Sequence, residues 1–196
     1  MNKNFDKNIH LTEHFTLDEM CKTSIKTKEG NIPSSVHIEN LKRLCVWLEQ
    51  LRAYPEAYPQ PLPKGGESGL QGGLGESSSK VNSIENTNPR SGNALLPSGG
   101  VGGGLPIYIN SGYRSPAVNR AVGGVATSNH LTGCAADIRC TGLEQAFVYA
   151  YHLLMISRDW KEDFDELLVE QSSRSTWIHF AVRASGNRRK VAFKRV

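Results

Sequence analysis

The residues best suited to chemistry lie in "SNHLTGCAADIR" (residues 128–139), where His130 and Asp137 stand seven positions apart. Gly133 permits a tight backbone between them, and Ala135 and Ala136 leave room around the run that follows. His130 is expected in a loop and Asp137 on the strand leaving it. A third group of the same kind sits in "TWIHFAV" (residues 176–182). In an extended strand Trp177, His179 and Ala181 share one face, and Ile178, Phe180 and Val182 share the other. His179 therefore projects opposite a plainly apolar face. Two imidazoles and one carboxylate form a zinc-ligand set that leaves a fourth position to water, the arrangement of metal-assisted hydrolysis. The remaining histidines, His10, His14, His37 and His152, read as packed or hydrogen-bonded residues.

These groups need a scaffold, and the chain supplies mixed elements. "HFTLDEM" reads as a short helical turn capped by Thr16. "SSVHIENLKRLCVWLEQLRAY" places Val36, Leu41, Leu44, Cys45, Leu48 and Leu51 at helical spacing, opened by Pro33 and Ser34 or Ser35. "LPIYINSGYRS" begins with a β-type run at Ile107–Ile109. "SPAVNRAVGG" gives a short helix with Ser115 as N-cap, Pro116 in the first turn, and Gly123 or Gly124 as stop. "TGLEQAFVYAYHLLMISRDW" predicts a longer helix, with Thr141 and Glu144 as a capping box and Leu143, Ala146, Phe147, Ala150 and Leu154 on one face. "CAADIR", "DELLVE" and "TWIHFAV" read as strands, and "KVAFK" as a closing edge. Without regular strand–helix alternation, this pattern predicts an α+β fold with a mainly antiparallel sheet and flanking helices.

Composition bounds the rest. The chain has 196 residues, 38% hydrophobic and 21% charged, with a net charge of +4. That suits a single soluble domain spanning residues 1–196, and it is far from a nucleic-acid-binding composition. The basic tail (Arg188, Arg189, Lys190, Lys194, Arg195) reads as a solvated end. Residues 61–104 hold 12 of the 19 glycines and no apolar periodicity, so they read as a disordered insertion interrupting the domain. Cys21, Cys45, Cys134 and Cys140 form no CxxC pair and read as free, mostly buried thiols. The start, "MNKNFDKNIHLTEHF", has no apolar h-region, and no run is long enough to span a membrane. The expected location is cytoplasmic until release, or the cell wall by a route other than an ordinary signal peptide. The expected state is a monomer.

"INSGYRSPAVNRAVGGVATSNHLTGCAADI" followed by "WIHFAV" closely resembles the zinc D-alanyl-D-alanine carboxypeptidase family. The likeness is greatest to its short branch of phages and mobile elements, which includes peptidoglycan-cleaving endolysins and is related to lysostaphin and hedgehog-type zinc folds. "HFTLDEM" and "IENLKRL" are similar to that branch too, and the resemblance covers most of residues 10–54 and 105–182. It implies zinc held by His130, Asp137 and His179. It implies that Arg114, in "GYRS", binds the substrate carboxylate or carbonyl and supports catalysis, and that Ser128 hydrogen-bonds substrate or orients the site. Many relatives carry the catalytic acid three residues before the last histidine, where this chain has Thr176. Glu170, at the end of "DELLVE", is the expected substitute as general base, ahead of Asp165 and Glu166. The implied activity is hydrolysis of peptide bonds in peptidoglycan stem peptides, as a D,D-carboxypeptidase or an endopeptidase. The alternative is a non-catalytic, zinc-containing module that binds cell-wall peptide or serves a structural role. A peptide partner is implied, and no nucleic acid.

Overall fold

Local chemistry starts the helices where the side chains favour it. The computed structural model describes residues 9–54 and 106–196. Thr16 Oγ1 accepts from the Glu19 backbone N–H and opens α1 (Leu17–Cys21). Helix α2 (Ser35–Ala53) begins at Ser34, whose backbone N–H donates to His37 Nδ1 at 3.2 Å. Its stripe Leu41, Leu44, Cys45, Leu48 and Leu51 is buried, together with Trp47, while Val36 in the first turn is exposed. Helix α3 (Pro116–Ala121) has Ser115 Oγ as its cap, and its chain leaves through Gly123 at φ 72°.

Helix α4 (Leu143–Trp160) departs from expectation at its start and on its face. Its N-cap is Gly142, and Thr141 instead donates its backbone N–H to Gln145 Oε1 at 2.8 Å. The Thr141–Glu144 capping box is therefore not formed. The buried stripe runs through Ala146, Tyr149, Ala150, Leu153 and Ile156, whereas Phe147 is exposed. The large Tyr149 ring takes the core position, and its hydroxyl donates to the Pro106 carbonyl at 3.4 Å. Phe147 turns outward and stacks on Phe193 with ring centroids 6.4 Å apart.

Five strands form one sheet: β1 (Ile109–Ser111), β2 (Ala135–Cys140), β3 (Glu166–Gln171), β4 (Thr176–Ala181) and β5 (Lys190–Arg195), in the order β1-β2-β4-β3-β5. All neighbours pair antiparallel except β3 and β5, which run parallel. The first strand starts at Ile109, two residues later than the apolar run, because Ile107 is buried outside the ladder. The basic tail is not a loose end. It forms β5, anchored where the Arg188 guanidinium meets the wholly buried Asp165 at 2.7 and 2.8 Å.

One face of the sheet packs on α2 and α4, with Ile138, Ile178, Phe180 and Leu167 at its centre. Phe180 is clamped between Trp47 and Phe164 at centroid distances of 5.5 and 5.7 Å. Because neighbours alternate along a strand, that clamp drives His179 to the opposite face. The described residues make one compact unit, and all four cysteines in it are free and buried. Residues 55–105, which include the expected insertion at 61–104, lie outside the described residues. Among the described residues no helix is long and apolar enough to cross a membrane.

The turn before β2 depends on one glycine. Gly133 ends the 3-10 turn Asn129–Thr132 at φ 71°, and a Cβ there would lie 2.7 Å from the His37 carbonyl oxygen of α2. Gly133→Ala combines left-handed strain with a backbone clash, so urea unfolding should show a loss of about 2–4 kcal/mol.

Candidate metal centre

The outer face of the sheet holds the site. Register places Asp137 opposite His179 and Leu168 opposite His179 on the other side. Cross-strand partners share a face, so Asp137 and His179 project together. The 3-10 turn Asn129–Thr132 brings His130 over them. His130 Nε2, Asp137 Oδ1 and His179 Nδ1 converge, separated by 3.2, 3.3 and 3.0 Å. Ligand atoms about 2.0–2.1 Å from a tetrahedral zinc would stand about 3.3 Å apart, so the spacing suits that ion. The three are the group among the described residues able to hold a metal. All three are buried or nearly so, at the bottom of a cleft of about 710 Å³.

The non-ligating atoms are held as a metal site requires. His130 Nδ1 lies 2.6 Å from the Gly112 carbonyl, which can only accept, so Nδ1 carries a proton and Nε2 is the nitrogen turned toward Asp137 and a metal. A side chain at Gly112 would collide with the backbone carbonyl of Met20 in α1, which itself accepts from Tyr113 N–H at 2.7 Å. That explains the glycine in "SGYRS". His179 Nε2 lies 3.5 Å from Glu166 Oε2. Asp137 Oδ2 accepts from Arg114 Nη2 at 2.5 Å, which leaves Oδ1 free for the ion.

The other expected residues are also placed. Arg114 donates Nε to Ser111 Oγ at 2.8 Å and lines the cleft. Ser128 Oγ accepts from the His130 backbone N–H at 3.3 Å, capping the turn that presents His130, and it too borders the cleft. Glu170 lies on the cleft side of β3, with Oε2 accepting from Trp177 Nε1 at 2.9 Å and Oε1 3.4 Å from Lys194 Nζ. Thr176 is buried, and strand alternation puts it on the face away from His179.

Two asparagines escaped the sequence reading. Asn129 Nδ2 donates to Asp165 Oδ2 at 2.8 Å and to Glu166 Oε2 at 3.1 Å, and Asn129 Oδ1 accepts from Arg183. Asn31 ties the Arg114 loop down, donating to the Cys21 and Tyr113 carbonyls and accepting from Ser115 N–H at 2.7 Å. Asn129 had one available signal, its place beside His130. Asn31 had none, because its partner loop is more than 80 residues away.

The electrostatics follow from the same contacts. Burial would raise the Asp137 carboxyl, but the charges and hydrogen bonds of His130 and His179 outweigh it and hold it well below the carboxylate range. Burial would lower His179, but hydrogen bonds to Asp137 and Glu166, with their charges, raise it to about 9. Glu166 is held low chiefly by its hydrogen bond to His179.

In metal-free protein His179 thus keeps its proton at neutral pH, and its contribution to stability is full below about 6.5 and lost as pH rises through about 9. Metal must displace that proton. Titration at pH 7.5 in buffers of different ionisation enthalpy should show about one zinc bound per chain and about one proton released. His179→Ala should abolish both, and proton-neutral binding would contradict the assignment. Glu166→Ala removes the acceptor behind His179. It should weaken zinc affinity, read by chelator competition, by about 10–100-fold while leaving the unfolding midpoint of the metal-free chain within a few degrees.

Residues 102–180 match the family model described as Peptidase M15, a span that includes His130, Asp137 and His179. No curated protein matches the chain. Family match and ligand geometry agree: the matched segment is similar to Peptidase M15, a family of zinc-dependent, D-Ala-D-Ala carboxypeptidase-type peptidases, and it carries all three candidate zinc ligands.

Proposed function

We propose that the chain hydrolyses peptide bonds in peptidoglycan stem peptides, next to a D-amino acid, as a D,D-carboxypeptidase or an endopeptidase. The observation that carries this reading is the convergence of His130 Nε2, Asp137 Oδ1 and His179 Nδ1 in an open cleft that Glu170 and Arg114 also line. Zinc held by these three would supply Lewis acidity toward a peptide carbonyl and lower the pKa of water. Glu170 takes a proton from the attacking water and delivers it to the leaving amine. Trp177 and Lys194 hold its carboxylate toward the cleft for that task. Arg114 fixes Asp137 through Nη2 and faces the cleft, where its guanidinium suits a substrate carboxylate or the developing oxyanion. Ser128 holds the His130 turn and offers its hydroxyl to the bound peptide.

Glu166 is the less suitable base, because its two oxygens already serve His179, Asn129, Arg188 and Lys190. A carboxylate at position 176 would point into the core.

Purified muropeptides digested with and without chelator, then read by mass spectrometry, test the reading. Glu170→Gln should retain zinc while hydrolysis falls by about 10²–10⁴. Equal activity in wild type and Glu170→Gln would move the base elsewhere. A zinc-loaded wild type that cuts no muropeptide would replace the peptidase reading with a binding-only module.

A further inference from the structure

Strand β5 closes one edge of the sheet and pairs with β3 alone among the described residues. Its backbone groups divide by alternation. Lys190 N–H donates to the Asp165 carbonyl and Val196 N–H to the Gln171 carbonyl, both at 3.0 Å. Residues of that parity turn their amides inward to β3, so Val191, Phe193 and Arg195 aim their N–H and C=O groups at the open edge. No described residue pairs with those groups. The side chains of Val191 and Phe193 lie on the helix side of the sheet, because they stand opposite Leu167 and Val169 of the core. Both are nonetheless exposed. Phe193 continues through its stack on Phe147 to Tyr151, one turn further along α4, and those two rings are exposed as well. An open row of backbone donors and acceptors thus borders an apolar strip, on the opposite side of the sheet from His179.

Charge decides what can lie there. Arg188, Arg189 and Lys190 lead into "VAF", and Lys194 and Arg195 follow it. A second copy pairing antiparallel through this edge would set one basic run against another, which is how edge lysines prevent self-association. A lipid surface would cover the apolar strip but leave the outward backbone groups without partners. An added strand carrying acidic residues satisfies backbone and charge together. We propose that the β5 edge docks an extended segment of a partner protein in which apolar and acidic residues alternate. Its backbone pairs with Val191, Phe193 and Arg195, and its apolar side chains cover Val191, Phe193 and Phe147. Its acidic side chains fall on the other face, beside Lys190 and Lys194. Each of these lysines touches a carboxylate of β3, at 3.1 and 3.4 Å, and has further ammonium donors to give. This docking is independent of the metal centre and of the reaction.

The probe is a short synthetic peptide that alternates glutamate with valine and phenylalanine. One control gathers the same apolar residues into a single block, and another replaces glutamate by lysine. Each is titrated against the full, zinc-loaded chain by fluorescence anisotropy, and amide exchange of the chain is read by NMR. The alternating acidic peptide should bind about tenfold or more tighter than either control, less tightly as salt is added, and should slow exchange at Val191, Phe193 and Arg195. Val191→Pro removes an outward N–H without touching the ladder to β3. It should abolish binding while the unfolding midpoint and zinc content hold. Phe147→Ser/Phe193→Ser tests the strip independently should the proline variant misfold, and it should weaken binding about tenfold or more. Binding that leaves the three amides exchanging as in the free chain puts the peptide elsewhere and overturns the proposal. Absence of binding overturns it too, as does self-association of the chain that Val191→Pro abolishes, or attachment to phosphatidylglycerol vesicles in place of the peptide.

Discussion

Asp137 sits in the middle of a sheet with little access to water, and a carboxylate in such a place persists only when both oxygens are engaged. Arg114 takes one oxygen, and the two imidazoles face the other. Much of the surrounding structure serves this division. The β1–β2 pairing sets Ser111 opposite Asp137, Ser111 Oγ steadies Arg114, and Asn31 fixes the loop between. Without Arg114 the second oxygen would be left to compete for the imidazoles, and the three donor atoms would lose their spacing. The same carboxylate therefore anchors the fold of the loop and fixes the geometry of the site.

Sheet register then acts as the ruler. His179 is aimed by what its neighbour Phe180 does on the other face, where Trp47 and Phe164 leave that ring no alternative. Glu166 and Glu170, two positions either side of Leu168, share the face of His179 and yet differ in use. Glu166 lies against the His179 ring, while Glu170 is displaced along the strand toward Trp177. A spacing of four residues thus separates a carboxylate that contacts the His179 ring from one held at the cleft by Trp177 and Lys194.

The parts legible in the sequence were those fixed by local rules. The strand periodicity of "TWIHFAV", the caps at Thr16 and Ser115, and the glycine that lets the chain turn before "CAAD" all act within a few residues. Harder to read were features decided by distant packing. The face of α4 depends on which aromatic ring fills the core, so Tyr149 displaced the predicted Phe147. The basic tail is exposed and closes the sheet edge as expected, but nothing local reveals that Arg188 meets a buried Asp165 or that the strand pairs with β3. The alternation of β4, readable in "TWIHFAV", puts Thr176 on the buried face away from His179.

The strand order has a consequence for assembly. Although β3 precedes β4 in the chain, it is β4 that pairs with β2. The hairpin of β3 and β4 therefore joins the β2 side of the sheet through β4, so that His179, Glu166 and Glu170 ride on one piece of the chain and His130, Asp137 and Arg114 on another. An ion shared by His130, Asp137 and His179 lies across the seam between those two pieces. It would act as a clasp on the folded chain, and its loss would loosen the docking of a whole hairpin as well as silence a reaction.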